Sequence, residues 1–316
     1  MTPHRVFIVG HEGTTGLRIH ERLSDRKDIE LLATADEDRK NVEAIKVVAK
    51  KADLVFLCLP DVASKEIMAA IGDFPCKVID TSTAFRTTAG WAYGFPELGE
   101  SYKTAIATKK HIANPGCHAS GMIACIAPLV KAGLVPVDYP FTITSLTGYS
   151  GGGKKMIDQY ESNPKDYFLY APRQYGLGQQ HKHLPEVQYV CGISEAPIFM
   201  PIVDDYYSGM EVTVGIHSRL CHKPVCIDRV QQVLEDFYKH STIITVVPFN
   251  ENSNTGILNA NQLSNTDSMK IYVTGNDERI MVHAIFDNLG KGASGAAVQC
   301  MNIALGLPEE TGLVLG

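Results

Sequence analysis

The chain has 316 residues, of which 45% are hydrophobic and 20% charged, and its formal net charge at pH 7 is −6. This length exceeds what one hydrophobic core usually organises, so we expect two domains of an ordinary folded protein. The negative charge argues against a nucleic-acid partner, because phosphate backbones are bound by lysine and arginine. No apolar run is long enough to span a membrane, and the first residues resemble no signal sequence, so we expect a cytoplasmic protein without a membrane partner.

Short apolar runs alternate with helical patterns in the first third of the chain. A run at residues 5–9 ends at Gly10, and a helical pattern follows at residues 15–23. Further strands are predicted, with helical spacers between them, at residues 29–35, 54–59 and 77–80. Strands that alternate with helices predict an α/β domain with a doubly wound parallel sheet of the Rossmann type.

The pattern changes after about residue 140 to longer runs that are typical of β-strands. These runs lie at residues 141–146, 210–217, 243–247, 270–274 and 280–287. One amphipathic helix, at residues 227–240, predicts an α+β domain whose mostly antiparallel sheet is covered on one face. A last helix, at residues 293–305, is expected to return to the first domain. The predicted domains are therefore residues 1–116 plus 290–316, and residues 117–289.

Three glycines follow the first predicted strand with the spacing G-x-x-G-x-x-G. Gly10, Gly13 and Gly16 stand between that strand and the first predicted helix, where backbone amides can approach a pyrophosphate. Thr14 and Thr15 lie in the same turn. A tight turn with a purely structural role is the alternative, which the strand–turn–helix context disfavours. The sequence therefore predicts a dinucleotide cofactor at this turn.

Charged residues after the second predicted strand bear on the choice between NAD and NADP. Asp36 stands where NAD-binding proteins place an acid for the ribose hydroxyls. Arg39 and Lys40 follow, and a guanidinium beside the ribose is a usual ligand of the 2′-phosphate of NADP. The local sequence leaves both cofactors open, since these basic residues equally suit a solvated helix start.

Eight cysteines are scattered without a C-x-x-C pair or zinc-type spacing, so most are expected to be free thiols of the core. Cys117 is the exception, because it opens a predicted apolar helix at residues 122–130. The partial positive charge of a helix N-terminus favours the thiolate, which is the form that attacks acyl carbons. The small residues Gly116, Ala119 and Gly121 leave room for a substrate. We therefore predict a catalytic nucleophile at Cys117.

The segment H-K-H-L-P-E at residues 181–186 offers a general acid or base for this thiol. His181 and His183 titrate in the suitable range, and the sequence does not choose between them. Two histidines at i and i+2 also suit a metal, but no third ligand is evident, so we expect no metal site. Glu186 is placed to orient an imidazole or to contact the substrate.

Two further segments offer groups that bind a phosphate. Ser82 and Arg86 come just after a predicted strand, and a guanidinium can hold a phosphate with two hydrogen bonds. A surface salt bridge is the alternative role for this arginine. The glycine-rich segment 147–154, which contains Ser150, can donate backbone N–H groups to an anion or form a plain flexible loop.

Together these segments resemble the N-acetyl-γ-glutamyl-phosphate reductase family, within the semialdehyde dehydrogenase superfamily, over nearly the whole chain. The nucleophile segment combined with H-K-H-L-P-E is the specific part of the resemblance. The matching segments are residues 10–16, 82–86, 114–120, 148–154, 181–186 and 288–295.

This resemblance implies an enzyme of arginine biosynthesis that uses NADPH to reduce an acyl phosphate to an aldehyde through a thioester on Cys117. It implies that His183 or His181 is the acid/base and that Arg86 binds the substrate phosphate. An aspartate-β-semialdehyde dehydrogenase with the same chemistry and a non-catalytic dinucleotide sensor are the alternatives. Substrate assays and the reactivity of Cys117 distinguish them.

The resemblance also assigns roles to the two predicted domains. The first binds the dinucleotide, and the second carries catalysis and oligomerisation. The nicotinamide site is implied to include Asn288, Lys291 and Gly292. The family further implies a homodimer or a homotetramer.

Overall fold

The computed structural model describes residues 2–249 and 256–316, and these form two compact units. The first unit draws on Met1–Gly116 and Ala293–Leu313, and the second on Cys117–Gly292 and Val314–Gly316. The chain therefore leaves the first unit directly before Cys117 and returns to it near the C-terminus.

Two short segments differ from the predicted division of the chain. Residues 290–292 and 314–316 cluster with the second unit, whereas the sequence grouped them with the first domain. Hydrogen bonds account for this difference. The amide of residue 292 donates to the carbonyl of Asp287 over 2.9 Å, and the amide of residue 314 donates to the carboxylate of Asp267 over 2.8 Å.

The regular elements of the described residues can be given in chain order. They are β1 (His4–Val9), α1 (Thr14–Ser24), β2 (Ile29–Leu32), α2 (Val42–Ala49), β3 (Leu54–Leu57), α3 (Asp61–Ile71), β4 (Lys77–Asp80), β5 (Ala92–Tyr93), α4 (Glu100–Thr108), β6 (His111–Ala113), α5 (Cys117–Lys131), β7 (Thr142–Gly148), α6 (Lys154–Tyr160), β8 (Arg173–Gln174), α7 (Leu184–Cys191), β9 (Ile198–Asp204), β10 (Met210–His217), α8 (Ile227–Tyr238), β11 (Ile244–Val246), β12 (Met269–Gly275), β13 (Arg279–Phe286) and α9 (Gly295–Ala304).

The first unit is built on a parallel sheet with the strand order β2-β1-β3-β4-β6-β5. Successive side chains of β1 point to opposite faces. Val6 and Ile8 pack with residues of α1, α4 and α9, whereas Phe7 and Val9 pack with residues of α2 and α3. Burial on both faces explains why these strands are continuous apolar runs. The predicted doubly wound sheet is confirmed.

Two strands of this sheet end earlier than the sequence predicts. β2 ends at Leu32, where its pairing with β1 ends at the Phe7–Leu32 register, and β3 ends at Leu57. Residues 58 and 59 lie outside β3, between that strand and Pro60, which is the N-cap of α3.

The second unit contains a mixed sheet with the strand order β11-β12-β13-β10-β7-β9-β8 among its described residues. Most of its pairings are antiparallel, as predicted, but β7 pairs with β9 and β11 pairs with β12 in parallel. The sequence analysis did not name β9, a strand that contains Pro201 although prolines are uncommon inside sheets. The predicted fold class, α/β with a second α+β unit, is confirmed.

Helix α5 lies against β10 and β13 of this sheet and is buried along most of its length. Gly121 makes the close approach possible, since a Cβ there would lie 2.5 Å from Cγ2 of Val212 and 2.9 Å from Phe286. The sequence analysis assigned this glycine to substrate access, and the structure shows that packing requires it instead. The sheet thus fixes the position of the helix that begins at Cys117.

Candidate active site

Cys117 is the first residue of α5 and is partly exposed, whereas the residues that follow it in the helix are buried. A thiol at a helix N-terminus meets the partial positive charge of the first turn, which favours the thiolate. The backbone at Gly292 passes close by, since a Cβ there would lie 3.0 Å from the Cβ of Cys117. The predicted nucleophile therefore lies at an accessible helix start.

Two other cysteines of the second unit lie in a different environment. Burial raises the pKa of the Cys125 and Cys191 thiols, so both stay protonated at neutral pH. All eight cysteines of the chain are free. Cys117 therefore differs from these buried, protonated thiols in its exposure and in its place at a helix start.

Three histidines are brought together in the second unit, beside Phe199. The ring of His181 lies 4.7 Å from that of His183 and 5.4 Å from that of His118, between ring centroids. The rings of His118 and His183 are 5.7 Å apart. The sequence predicted the first two members of this cluster but missed His118, although it directly follows Cys117.

The protonation of His181 follows from its surroundings. Burial, together with the positive charge of Lys182, lowers the pKa of His181 to about 4, so its imidazole is neutral at pH 7. Its Nδ1 accepts a hydrogen bond from the backbone N–H of His183 over 3.2 Å. The ring proton therefore lies on Nε2, which leaves that atom as a hydrogen-bond donor.

His183 is buried and occupies the N-cap position of α7, where its side chain makes no capping hydrogen bond. Glu186 is also buried, in the first turn of the same helix. Helix α7 packs against α5, the helix that begins at Cys117. The packing of α7 on α5 thus connects the H-K-H-L-P-E segment with the helix that begins at Cys117.

Tyr175 is a second residue of this cluster that the sequence did not predict. Its hydroxyl lies 2.6 Å from Nε2 of His118, and Nδ1 of the same imidazole lies 2.8 Å from Oγ of Ser145. Burial and the negative charge of Cys117 both raise the pKa of Tyr175. These contacts join residues from α5, β7 and the segment before α7.

The first amides of the glycine-rich segment 147–154 are bonded within the protein, whereas the sequence left anion binding and a plain flexible loop open for this segment. The amides of Tyr149 and Ser150 donate to the carbonyls of Tyr206 and Tyr207 over 2.9 and 3.0 Å. These bonds attach the segment to the turn before β10. The segment therefore stabilises the turn before β10 through backbone hydrogen bonds.

Ser150 and Asn288 are buried and bonded to each other. Nδ2 of Asn288 donates to Oγ of Ser150 over 3.0 Å, and Oδ1 of Asn288 accepts from the amide of Gly209 over 2.9 Å. Lys291 is also buried, in the π-helical turn Gly290–Ser294. These contacts place Asn288 in the interior of the unit, whereas its role toward a cofactor stays a prediction.

In the first unit, Ser82 and Arg86 belong to a buried polar group at the end of β4. Oγ of Ser82 donates to the Asp80 carboxylate over 2.6 Å, and Ser64 donates to the other oxygen of the same carboxylate over 2.6 Å. Burial raises the pKa of Asp80, and these hydrogen bonds oppose that effect. The Ser82 hydroxyl therefore orders its own loop, and its role as a substrate ligand stays a prediction.

Arg86 is buried and bonded to backbone carbonyls of its own unit. Its Nε donates to the carbonyl of Asn114 over 2.9 Å, and Nη2 donates to the carbonyl of Thr81 over 3.1 Å. These bonds fix the guanidinium in the segment that precedes Cys117. A surface salt bridge, the alternative considered for this residue, does not describe a buried side chain.

The glycine turn of the first unit has the local geometry that a pyrophosphate needs. Gly10 has a φ of +85°, and a Cβ at Gly16 would collide with the carbonyl oxygen of Gly10. Gly13 is the N-cap of α1 and, as a glycine, has no side chain to cap the helix. The first amides of α1, which include Thr14 and Thr15, therefore suit a phosphate group.

A cavity of about 240 Å³ lies beside this turn. Its lining includes Gly10, Glu12, Thr34, Arg39 and Lys40. A concave site with apolar walls and a few charged groups suits the adenosine half of a dinucleotide. The residues present therefore fit such a cofactor.

Two of the charged residues of this cavity form an ion pair. A guanidinium nitrogen of Arg39 donates to the Glu12 carboxylate, and both residues are exposed. Asp36 is exposed at the start of a 3₁₀ turn. The sequence did not pair Arg39 with Glu12, because these two residues are 27 positions apart.

Family models match both parts of the chain. The semialdehyde dehydrogenase NAD-binding domain matches residues 5–105, and the semialdehyde dehydrogenase dimerisation domain matches residues 117–288. These matches assign a nicotinamide dinucleotide to the first unit and oligomerisation to the second. No helix of the described residues is long and apolar enough to cross a membrane.

Similar proteins of known name match the chain along nearly its whole length. N-acetyl-gamma-glutamyl-phosphate reductase 2 of Pseudomonas putida is 40% identical over 97% of this chain and 98% of its own. The protein of that name from Nostoc sp. is 38% identical over 99% of this chain and 100% of its own. The N-acetyl-gamma-glutamyl-phosphate reductase of a Chelativorans species is 42% identical over 95% and 98% of the two chains.

Solved structures with a similar fold are aspartate semialdehyde dehydrogenases. The Vibrio cholerae enzyme II superposes with a TM-score of 0.73 at 18% identity, covering 96% of this chain and 99% of that one. The Francisella tularensis enzyme has a TM-score of 0.70 at 15% identity, covering 95% and 99%. At these identities the likeness concerns the fold.

Proposed function

This chain belongs to the semialdehyde dehydrogenase family, and on that premise we propose that it is an N-acetyl-γ-glutamyl-phosphate reductase of arginine biosynthesis. The reaction reduces N-acetyl-γ-glutamyl phosphate to N-acetylglutamate 5-semialdehyde and releases phosphate. The observation that carries the proposal is the position of Cys117, a partly exposed thiol at the start of a buried helix.

The thiolate of Cys117 attacks the γ-acyl carbon of the substrate. A carbon–sulfur bond forms, and the carbon–oxygen bond to phosphate breaks with its electron pair leaving on the phosphate. The resulting thioester is more electrophilic than a carboxylate and tethers the acyl group to the enzyme. His181 or His183 supplies a proton to the departing sulfur or to the oxygen of the reacting group.

We assign the cofactor as NADPH. When bound, a reduced nicotinamide would supply the hydride for the thioester carbonyl, and the carbon–sulfur bond then breaks to give the aldehyde and the free thiolate of Cys117. Arg39 and Lys40 are proposed to bind its 2′-phosphate, because both line the cavity beside the glycine turn. Asn288, Lys291 and Gly292 are proposed to line the nicotinamide end.

The remaining site roles rest on the family resemblance and on burial. Arg86 is proposed to bind the substrate phosphate, since a buried guanidinium fixed by two carbonyls is already oriented. Ser82, Ser150 and Glu186 are proposed to contact the substrate.

The assembly is proposed to be a homodimer or a homotetramer, because the second unit matches a dimerisation domain. The proposed compartment is the cytoplasm, since eight free cysteines suit a reducing environment.

The experiment that tests this function runs the reaction in reverse. Purified protein is assayed with N-acetylglutamate 5-semialdehyde and NADP, with and without inorganic phosphate, and with aspartate β-semialdehyde as the comparison substrate. The proposal expects reduction of NADP that requires phosphate and prefers the N-acetylated substrate. Turnover that is indifferent to phosphate, or a preference for aspartate β-semialdehyde, contradicts it.

A further inference from the structure

A chain of three hydrogen-bonding side chains lies beside the predicted nucleophile, and none of the roles assigned above uses it. Ser145 on β7 is buried, and its Oγ lies 2.8 Å from Nδ1 of His118. Nε2 of His118 lies 2.6 Å from the hydroxyl of Tyr175. The imidazole itself is 3% exposed. The two bonds therefore fix its ring plane from both ends.

Burial determines the charge of His118. It lowers the pKa of His118 to about 3, with a smaller contribution from the charge of His181, so the imidazole is neutral at physiological pH. A neutral imidazole donates from one ring nitrogen and accepts at the other. Either ring nitrogen can carry the proton, and we assign it to Nε2, so that Ser145 donates to Nδ1 and Nε2–H donates to the oxygen of Tyr175. In this tautomer the hydroxyl proton of Tyr175 is left for a third group.

Aromatic packing restricts the ring further. Centroids of Phe199 and His183 lie 5.2 and 5.7 Å from that of His118, and the ring of Tyr175 lies 6.2 Å from it. Side chains that are packed on several sides keep one rotamer, which is what a positioning residue requires. The phenol is therefore held in one orientation by its partner.

The ring of Tyr175 lies 6.2 Å from that of His181, a candidate acid/base, and its hydroxyl is bonded to His118, which directly follows Cys117. Burial raises the pKa of Tyr175, with a smaller contribution from the charge of Cys117, so the hydroxyl keeps its proton throughout the working pH range. A protonated phenol serves as a hydrogen-bond donor rather than as a base. Such a donor stabilises the acyl oxygen of the substrate, which gains negative charge when the acyl carbon bonds to the sulfur of Cys117.

We propose that Tyr175 is a catalytic residue that donates a hydrogen bond to the acyl oxygen of the substrate, and that His118, anchored by Ser145, is its positioning residue. As the sulfur–carbon bond forms, the π electron pair of the carbonyl moves to this oxygen, and it returns as the bond to phosphate breaks. Tyr175 donates a hydrogen bond throughout and transfers no proton. The inference rests on the proposed thioester function.

The first test compares Tyr175→Phe with Tyr189→Phe, an exposed tyrosine of α7. The proposal expects Tyr175→Phe to lower kcat on the order of 100-fold, as for loss of one oxyanion donor, with KM little changed. Tyr189→Phe keeps both parameters. The cofactor-free burst of phosphate from N-acetyl-γ-glutamyl phosphate slows in parallel with kcat in Tyr175→Phe.

Alkylation of Cys117 by iodoacetamide provides a matched readout, because it develops no negative charge on an oxygen. Tyr175→Phe should keep the wild-type alkylation rate at Cys117, measured by peptide mass spectrometry. A wild-type phosphate burst in Tyr175→Phe overturns the proposal. Equal slowing of alkylation and burst also overturns it, since the tyrosine then acts on the thiol.

Variants of His118 test the positioning role. His118→Phe removes the bond to Tyr175, whereas the amide of His118→Gln can replace Nε2, so the proposal expects a large loss in kcat for the first and partial rescue in the second. The double variant His118→Phe/Tyr175→Phe should be no slower than Tyr175→Phe alone. Multiplicative losses overturn the positioning role.

Ser145→Ala removes the hydrogen bond between Ser145 and Nδ1 of His118 with a minimal change in side-chain volume. It should lower kcat in the same direction as the other variants, to a smaller extent, and an unchanged kcat contradicts the anchoring role. Wild-type protein that lacks the phosphate-dependent reaction refutes the proposed function itself. An active wild type with a normal Tyr175→Phe variant refutes only this inference.

Discussion

A Cβ at position 292 would lie 3.0 Å from the Cβ of Cys117, so the backbone at Gly292 packs directly against the nucleophile. The same hypothetical atom would meet the carbonyl of Asp287 at 3.1 Å. These are contacts tighter than side chains usually make, and packed interiors have little room to yield. Gly292 therefore fixes the distance between the turn after β13 and the start of α5.

Gly292→Ala should displace Cys117 by a few tenths of an ångström and lower kcat. We expect a loss of roughly 10- to 100-fold, because small misplacements of reacting groups are costly. The control is Gly215→Ala on β10, where the added methyl group meets no atom of the described residues. Equal kcat values for the two variants, measured in the phosphate-dependent assay, would show that this contact does not position the thiol.

The pair between Arg39 and Glu12 predicts opposite effects on the choice of cofactor. Arg39→Gln removes a charged ligand of the 2′-phosphate and should weaken NADPH binding about 10- to 100-fold, with NADH little affected. Glu12→Gln frees the guanidinium and removes a nearby negative charge, so NADPH should bind about 2- to 5-fold more tightly. Fluorescence titrations of both cofactors measure these changes. Parallel losses for NADPH and NADH in Arg39→Gln would argue against recognition of the 2′-phosphate.

Gly121 predicts a stability effect that is separate from catalysis. In Gly121→Ala the new methyl group collides with Val212 and forces α5 away from the sheet, at a cost of about 1–3 kcal/mol in the free energy of unfolding. Gly215→Ala again serves as the control and should differ little from wild type. Denaturant unfolding measures both, and an unchanged midpoint for Gly121→Ala is the outcome that the packing excludes.

The buried histidines predict how stability depends on pH. The pKa of His118 is lowered to about 3 and that of His181 to about 4, whereas in the unfolded chain both titrate near 6.5. Between these values the unfolded chain binds protons that the folded chain does not. The contribution of these two histidines to the free energy of unfolding is therefore fully present above pH ~6.5. It is lost as the pH falls, by up to about 1.4 kcal/mol per pH unit for each histidine.

His118→Gln should make the free energy of unfolding depend less on pH, because one of the two buried histidines is removed. Between pH 7 and about pH 5 the variant should lose roughly 2 kcal/mol less stability than wild type, as measured by denaturant unfolding at both values. His222→Gln, at an exposed position, should keep the wild-type dependence. Identical pH dependence in wild type and His118→Gln would mean that His118 is not held neutral.

Features with a local sequence signal were predicted from the sequence. The glycine turn beside β1 and the helix that begins at Cys117 depend on contiguous residues whose spacing reflects backbone geometry. The parallel sheet follows from alternating apolar runs, which burial on both faces requires. His181 and His183 also lie in one short motif, and the structure brings their rings within 4.7 Å.

Features that depend on distant residues were not predicted. Ser145 and Tyr175 are 27 and 57 positions from His118, so only the packing of α5 on the sheet brings them together. The sequence left open whether the amides of the glycine-rich segment bind an anion, and the partners that two of them find, Tyr206 and Tyr207, lie far along the chain. Hydrogen bonds formed by tertiary structure leave no periodic trace in a sequence.

The thioester on Cys117 is tested most directly by trapping it. Protein without cofactor is mixed with N-acetyl-γ-glutamyl phosphate, quenched in acid and digested, and the peptide that contains Cys117 is examined by mass spectrometry. We expect one N-acetylglutamyl group on Cys117, none on the exposed Cys226, and no adduct in a Cys117→Ser variant that still folds and binds NADPH. An unmodified Cys117 in a preparation that turns over, or near-normal turnover by Cys117→Ser, would contradict the thioester.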